Sequence, residues 1–222
     1  MRLCTVLGLA ATTLHAVSAA PAPSPQLVPP QLAPAYHLRV HAPEQPWHHR
    51  HIIQLPSTRL LGLENFTRRP ETTPVTVLPI QIPDKAEYAL RVPDRGDDLS
   101  RTPYVSALLP KDTARGSVSL RIIYIPDPRD ETIGRNPDAC PGGKKCAASA
   151  FVLYGMDSPN PEDGVVEEKL LGKLAYSGFE GHWEAVKDAP RSEGWHLYWK
   201  PTEGAGDVEL GTKIEIDVVS VE

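Results

Sequence analysis

Four residues near the carboxyl end of the chain carry side chains suited to binding a polar ligand. His182 and Glu184 belong to the first strand of a predicted hairpin, and His196 and Tyr198 belong to the second. Imidazole, carboxylate and phenol groups exchange hydrogen bonds readily with hydroxyl groups. We therefore take these four residues as the candidate binding site, for an extracellular glycan or for a protein on a cell surface.

Tryptophan is concentrated in the same hairpin. On the second strand Trp195, Leu197 and Trp199 alternate with the polar residues, so they share the opposite face. If that face were exposed, its rings could stack on sugar rings. Aromatic side chains in strands more commonly fill the core. We therefore expect these three side chains to be buried and the His196 side of the strand to offer any exposed contact.

A further candidate contact lies in an acidic turn. Arg95, Gly96 and Asp97 form the tripeptide that integrin-binding adhesion proteins present at a loop tip. The surrounding Pro-Asp-x-Gly composition is also that of an ordinary β-turn. Adhesion through this loop is therefore one of three hypotheses for the function.

Histidine is clustered near the amino end, where it invites a metal hypothesis. The same region is rich in proline, which removes backbone donors and predicts an extended or flexible segment. Because nothing in a flexible segment holds ligands in place, we expect only weak binding of copper or zinc, and no metal site or cofactor is predicted. The five clustered histidines are His37, His41, His48, His49 and His51.

Motifs of the common enzyme classes are missing from the sequence. It contains no Gly-x-Ser-x-Gly, no His-Glu-x-x-His, no phosphate-binding glycine loop and no EF-hand loop. No catalytic residue is therefore predicted, and the leading hypothesis is a protein that acts by binding. A secreted hydrolase acting on polysaccharide is the alternative, with carboxylates that the sequence does not select.

The first residues have the pattern of a cleavable signal peptide over 1–19. A positive residue, Arg2, precedes an apolar run, and the small residues Val17 and Ala19 fit the cleavage site. We therefore expect a secreted, extracellular protein, in which Asn65 of the Asn-Phe-Thr sequon can carry a glycan.

The two cysteines after the signal peptide, Cys140 and Cys146, are expected to form a disulfide bond. An oxidising compartment would join them, and two thiols without nearby histidines fall short of a structural zinc site. Because the closed loop is short, the bond would fix a turn rather than hold the whole fold together.

Strand and turn patterns predict an all-β chain. Residues 20–50 are read as a Pro-rich extended lead-in, and residues 51–222 as one domain with core strands from about residue 74. Val118–Ile125 is the clearest strand, because its apolar residues alternate and Pro126 ends it. Roughly nine short strands without helices predict a single antiparallel β-sandwich of the jelly-roll or immunoglobulin-like type.

The net negative charge of the chain makes some classes of binding partner unfavourable. The formal net charge is −5, which disfavours nucleic acid and anionic membrane surfaces. No stretch beyond the signal peptide is long and apolar enough to span a membrane, and we expect a monomer. The layout resembles that of many small secreted proteins of filamentous fungi, which implies a wall-associated or host-directed role.

Overall fold

The computed structural model describes eight stretches of the chain. Within them the protein is all β, and no helix is present, so the all-β prediction is confirmed. It follows that the described residues contain no helix of the length and apolarity needed to cross a membrane. The described stretches are residues 34–69, 73–93, 102–111, 116–129, 140–155, 170–187, 194–202 and 211–221.

The described residues form thirteen strands, which belong to one compact unit of the chain. All of their pairings are antiparallel, and they are numbered here in chain order. Their bounds are β1 (Tyr36–His41), β2 (Ile53–Gln54), β3 (Leu61–Glu64), β4 (Thr76–Gln81), β5 (Tyr88–Arg91), β6 (Thr102–Pro110), β7 (Val118–Ile125), β8 (Lys144–Ala147), β9 (Phe151–Tyr154), β10 (Leu170–Tyr176), β11 (Gly181–Lys187), β12 (Gly194–Pro201) and β13 (Thr212–Ser220).

Eight of these strands close into a barrel. The ring runs β1, β4, β5, β6, β7, β12, β11 and β13, and β13 pairs again with β1. Strands β9 and β10 make a second connection between β5 and β13, β8 extends from β6, and β2 with β3 extends from β12. Closure gives each strand of the ring a neighbour on both sides and so removes open sheet edges from it.

The predicted β-sandwich, whether jelly-roll or immunoglobulin-like, is therefore wrong. A sandwich keeps two separate sheets face to face, whereas here the pairings β1 with β13 and β5 with β6 close eight of the strands into one ring. Strands alternate inward and outward residues in both architectures, so period-two patterning does not distinguish them.

The barrel interior is filled by alternate residues of the ring strands. Leu38 and Val40 of β1 and Ile216 and Val218 of β13 are fully buried, while Arg39, which lies between the two β1 residues, is only partly buried. Burying each such side chain stabilises the fold by about 1.5–3 kcal/mol. The ring residues that complete this core include Val77, Leu90, Val105, Ala107, Val118, Leu120, Trp183, Ala185, Leu197 and Trp199.

The structure differs from the expected flexible lead-in at its carboxyl end. Residues 36–41 form β1, which pairs along its whole length with β13 and also pairs with β4. The eight prolines of residues 20–50 flank this strand and do not interrupt it. Core strands consequently begin well before residue 74. The part of the lead-in before residue 34, like the predicted signal peptide, lies outside the described residues.

Cys140 and Cys146 lie at bonding distance, with their Sγ atoms 2.09 Å apart. The second cysteine belongs to β8, whose first residue follows Gly143, a glycine with a left-handed φ of 77°. The pair therefore fixes the tight turn that leads into β8. The tripeptide Arg95-Gly96-Asp97 lies outside the described residues, so its display remains a prediction.

Candidate functional site

The hairpin of β11 and β12 aligns the predicted binding residues in cross-strand pairs. His182 lies opposite Lys200, Glu184 opposite Tyr198, and Val186 opposite His196. Side chains of directly opposed residues lie on the same face of a sheet. The four predicted residues therefore share one face of the hairpin, together with Lys200.

The opposite face of the hairpin lies in the barrel core. Leu197 and Trp199 are buried there beside Trp183, and the two tryptophan rings meet edge to face at 5.2 Å. Each indole N–H donates to a backbone carbonyl, from Trp183 to Leu174 at 2.8 Å and from Trp199 to Phe179 at 3.1 Å. These hydrogen bonds satisfy the polar atom of each ring, which makes its burial favourable.

Trp195 occupies a different position from Leu197 and Trp199. Its ring is half-buried between those of Trp47 and Phe66. The ring centroids of Trp195 and Trp47 lie 5.7 Å apart, and the Phe66 ring is stacked on Trp195 with a centroid distance of 6.1 Å. The guanidinium group of Arg50 covers the Phe66 ring at 5.1 Å. The aromatic surface that could have stacked on a sugar ring is thus occupied by the chain itself.

Glu184 is the centre of a charged group on the outer face. One carboxylate oxygen lies 2.9 Å from Nε2 of His182, and the other lies 2.8 Å from Nζ of Lys200. Burial raises the pKa of Glu184, but the hydrogen bonds from Lys200 and His182 outweigh it, so the pKa is lowered overall. The carboxylate is therefore ionised at neutral pH and fixed in position.

His196 and Tyr198 form a second polar pair on the same face. Nδ1 of His196 lies 3.4 Å from the hydroxyl of Tyr198, a long hydrogen bond. Both side chains are half-buried, less exposed than the sequence suggested. The structure thus brings the four predicted residues onto one surface, as two neighbouring polar pairs with Lys200 beside them.

A second polar surface lies across β9, β10, β13 and β1. Tyr154, Lys173, Asp217 and Arg39 stand in register on these four strands. Asp217 is only 3% exposed, and its carboxylate lies 3.4 Å from the guanidinium group of Arg39. Lys173 and Glu215 form an ion pair at 2.5 Å beside it.

Three histidines meet at the end of this surface. His41 ends β1, and His48 and His49 lie in the turn that follows it. Their candidate ligand nitrogens all lie within 4.8 Å of one another. The backbone N–H of Ala42 donates to Nδ1 of His48 at 3.0 Å. Burial lowers the pKa of His48, and the charges of His49 and His41 lower it further.

No protein-family model, curated protein or solved structure matches this chain.

The histidine cluster is what sequence reasoning missed. All five histidines of residues 37–51 were noticed, but proline content suggested a flexible segment, in which they would not be held together. A usable signal was present in residues 36–42, which lack proline and alternate apolar with polar residues around Leu38 and Val40. That alternation predicts a strand with His37, Arg39 and His41 on a single face.

Proposed function

We propose that this protein is a secreted, non-catalytic binding protein whose binding surface is the outer face of the β11–β12 hairpin. The observation that carries the proposal is the Glu184 carboxylate, held between Lys200 and His182 on the same face as His196 and Tyr198. Polar groups that are fixed before a ligand arrives lose little conformational entropy on binding.

The state of Glu184 favours binding over hydrolysis. A glycosidase needs one carboxylic acid with a raised pKa to protonate the leaving oxygen. The pKa of Glu184 is lowered, because the carboxylate accepts hydrogen bonds from Lys200 and His182. Glu184 is thus suited to accept hydrogen bonds from a ligand and unsuited to donate a proton.

A hydroxyl-rich glycan is the ligand class that this surface fits best. The carboxylate of Glu184 accepts hydrogen bonds from hydroxyl groups, and the phenol of Tyr198 can both donate and accept them. Nε2 of His196 is buried, so His196 acts by orienting the Tyr198 hydroxyl through Nδ1. Half-buried groups of this kind recognise a neutral polyol without requiring the ligand to carry charge. A protein on a cell surface is the other ligand class that the proposal allows.

Secretion is part of the same proposal. It is supported by the signal-peptide pattern of residues 1–19 and by the bonding distance of Cys140 and Cys146, since disulfides persist in oxidising compartments.

In the Asn65 sequon the side-chain oxygen accepts hydrogen bonds from the Thr67 N–H at 3.2 Å and from the Thr67 hydroxyl at 2.5 Å. We propose that Asn65 carries a glycan in the secreted protein; intact mass before and after enzymatic deglycosylation tests this, and an unchanged mass argues against it.

The binding surface is tested with Tyr198→Ala and His196→Ala on a glycan array and in pull-downs with wall polysaccharides. Each variant should bind about tenfold more weakly, because Tyr198→Ala removes a ligand hydrogen bond and His196→Ala removes the group that orients the Tyr198 hydroxyl. Tyr124→Ala is the matched control, because Tyr124 lies on β7 and is 52% exposed. Its binding should equal that of the unsubstituted protein.

Four outcomes would contradict this assignment. Retention on no glycan and no cell-surface extract would remove the binding function, and release of reducing sugars would show a hydrolase instead. Cell adhesion that is lost in Asp97→Ala would move the site to the Arg95-Gly96-Asp97 loop. Undiminished binding by both hairpin variants would place the surface elsewhere on the barrel.

A further inference from the structure

The turn after β1 holds its histidines through backbone bonds and a buried side chain. Trp47 is 2% exposed and fixes the middle of the turn in the core. The N–H of Val40 donates to the carbonyl of Arg50, and the N–H of His49 donates to the carbonyl of Val40, both at 2.9 Å. The turn therefore folds back on β1, and His48 and His49 are held beside His41.

Three imidazoles gathered in this way are a recognised ligand set. Imidazole nitrogen binds zinc, copper and nickel, and three protein ligands with an open fourth position form a common zinc arrangement. Ligand atoms in such a site lie about 3.3 Å apart, as the metal–nitrogen distance requires. Here the ligand nitrogens lie within 4.8 Å of one another, so small side-chain rotations bring them to that separation. His49 is exposed, which leaves its side chain room to rotate in this way.

The carboxylate of Asp217 lies beside the imidazole ring of His41. Oδ2 of Asp217 lies 3.8 Å from Nδ1 of His41, which leaves Nε2 of His41 to face a ligand. Among the described residues, none donates a hydrogen bond to the buried Oδ1 atom of Asp217. Metal-bound histidines commonly direct their second nitrogen at a carboxylate, which orients the ring and increases its basicity.

We propose that His41, His48 and His49 bind one divalent transition-metal ion of the zinc and copper class, with Asp217 orienting His41. Water completes the coordination. The site is separate from the β11–β12 surface, so it neither supports nor requires the glycan-binding proposal.

Metal binding alters one hydrogen bond that the structure shows. Nδ1 of His48 accepts the N–H of Ala42, which places the proton of the neutral ring on Nε2. A metal bound at Nδ1 takes the accepting lone pair, and a metal bound at Nε2 moves the proton to Nδ1, so either mode breaks this hydrogen bond. The amide resonance of Ala42 should therefore shift when the metal is added. This local reporter does not depend on which ligand the rest of the protein recognises.

Calorimetric titration of the secreted protein with zinc chloride tests the site. We expect one ion per chain, bound at least about 100-fold more weakly by His41→Ala and by His49→Asn, because loss of a ligand exceeds the effect of losing an outer-shell partner. Asparagine is chosen at position 49 because His49 has a φ of 63°, which asparagine tolerates. His182→Ala, which removes a histidine outside the cluster, should bind zinc normally.

Copper provides the second readout. The electron paramagnetic resonance spectrum of the Cu²⁺-loaded protein should show nitrogen ligands that are reduced in number in His49→Asn. The proposal is overturned if the unsubstituted protein binds no zinc, or if His41→Ala and His49→Asn bind zinc as tightly as His182→Ala. It is also overturned if binding is lost only when His37 and His51 are replaced. Thermal melts of the variants separate loss of ligands from loss of folding.

Discussion

Trp199→Ala should lower the free energy of unfolding by about 3–5 kcal/mol, measured by chemical denaturation. Trp199 is 6% exposed, packs edge to face on Trp183 and donates its indole N–H to the carbonyl of Phe179. Replacement by alanine removes this hydrogen bond and opens a cavity between barrel strands. Gly181 cannot fill that space, because it has no side chain and lies directly against the ring.

Tyr124→Ala is the control for Trp199→Ala. Tyr124 is a large aromatic residue on a barrel strand, but it is 52% exposed and points away from the core. Its replacement should change the free energy of unfolding by about 0.5 kcal/mol or less. If Trp199→Ala proved equally mild, Trp199 would not lie inside the barrel, and the inward and outward faces of β12 would have to be exchanged.

Gly194→Ala should destabilise the protein by about 3 kcal/mol or more. Gly194 has a φ of 138°, a conformation that residues with a side chain rarely adopt. An added Cβ would also overlap the carbonyl oxygen of Leu63 on the paired strand β3, and backbone cannot move aside cheaply. The measurement is again chemical denaturation, with the loss of β3 pairing followed by hydrogen exchange.

Gly142→Ala supplies the comparison for Gly194→Ala. Gly142 is exposed, its φ is not in the left-handed region, and an added Cβ would meet no atom within 4 Å. This substitution should leave the free energy of unfolding within about 0.5 kcal/mol of its original value. Equal stability of the two variants would show that β3 does not pair with the start of β12.

Individual strands were predictable from the sequence because apolar and polar residues alternate locally within each of them. Val118–Ile125 is strand β7 over the predicted residues. On β13 the alternate residues Ile214, Ile216 and Val218 are buried, which matches their period-two spacing in the sequence. The inward position of Leu197 and Trp199 on β12 follows from the same period of two.

Closure of the barrel was not predictable in this way. It depends on which strands pair, and the decisive pairs, β1 with β13 and β5 with β6, join segments through contacts that no local pattern records. The burial of Asp217 has the same origin, because Arg39 and His41 reach it from β1, far away in the sequence. Proline content over residues 20–50 further concealed β1, since the prolines lie on either side of it.

The place of β1 in the barrel underlies both the closed fold and the histidine cluster, and hydrogen exchange by mass spectrometry tests it most directly. Because Leu38 and Val40 are fully buried and β1 pairs with β13 from Tyr36 to His41, amides of residues 36–41 should exchange as slowly as those of β13. Exchange of residues 36–41 at the rate of an unstructured peptide, while β13 stays protected, would contradict the closed barrel and remove the frame that holds His41, His48 and His49 together.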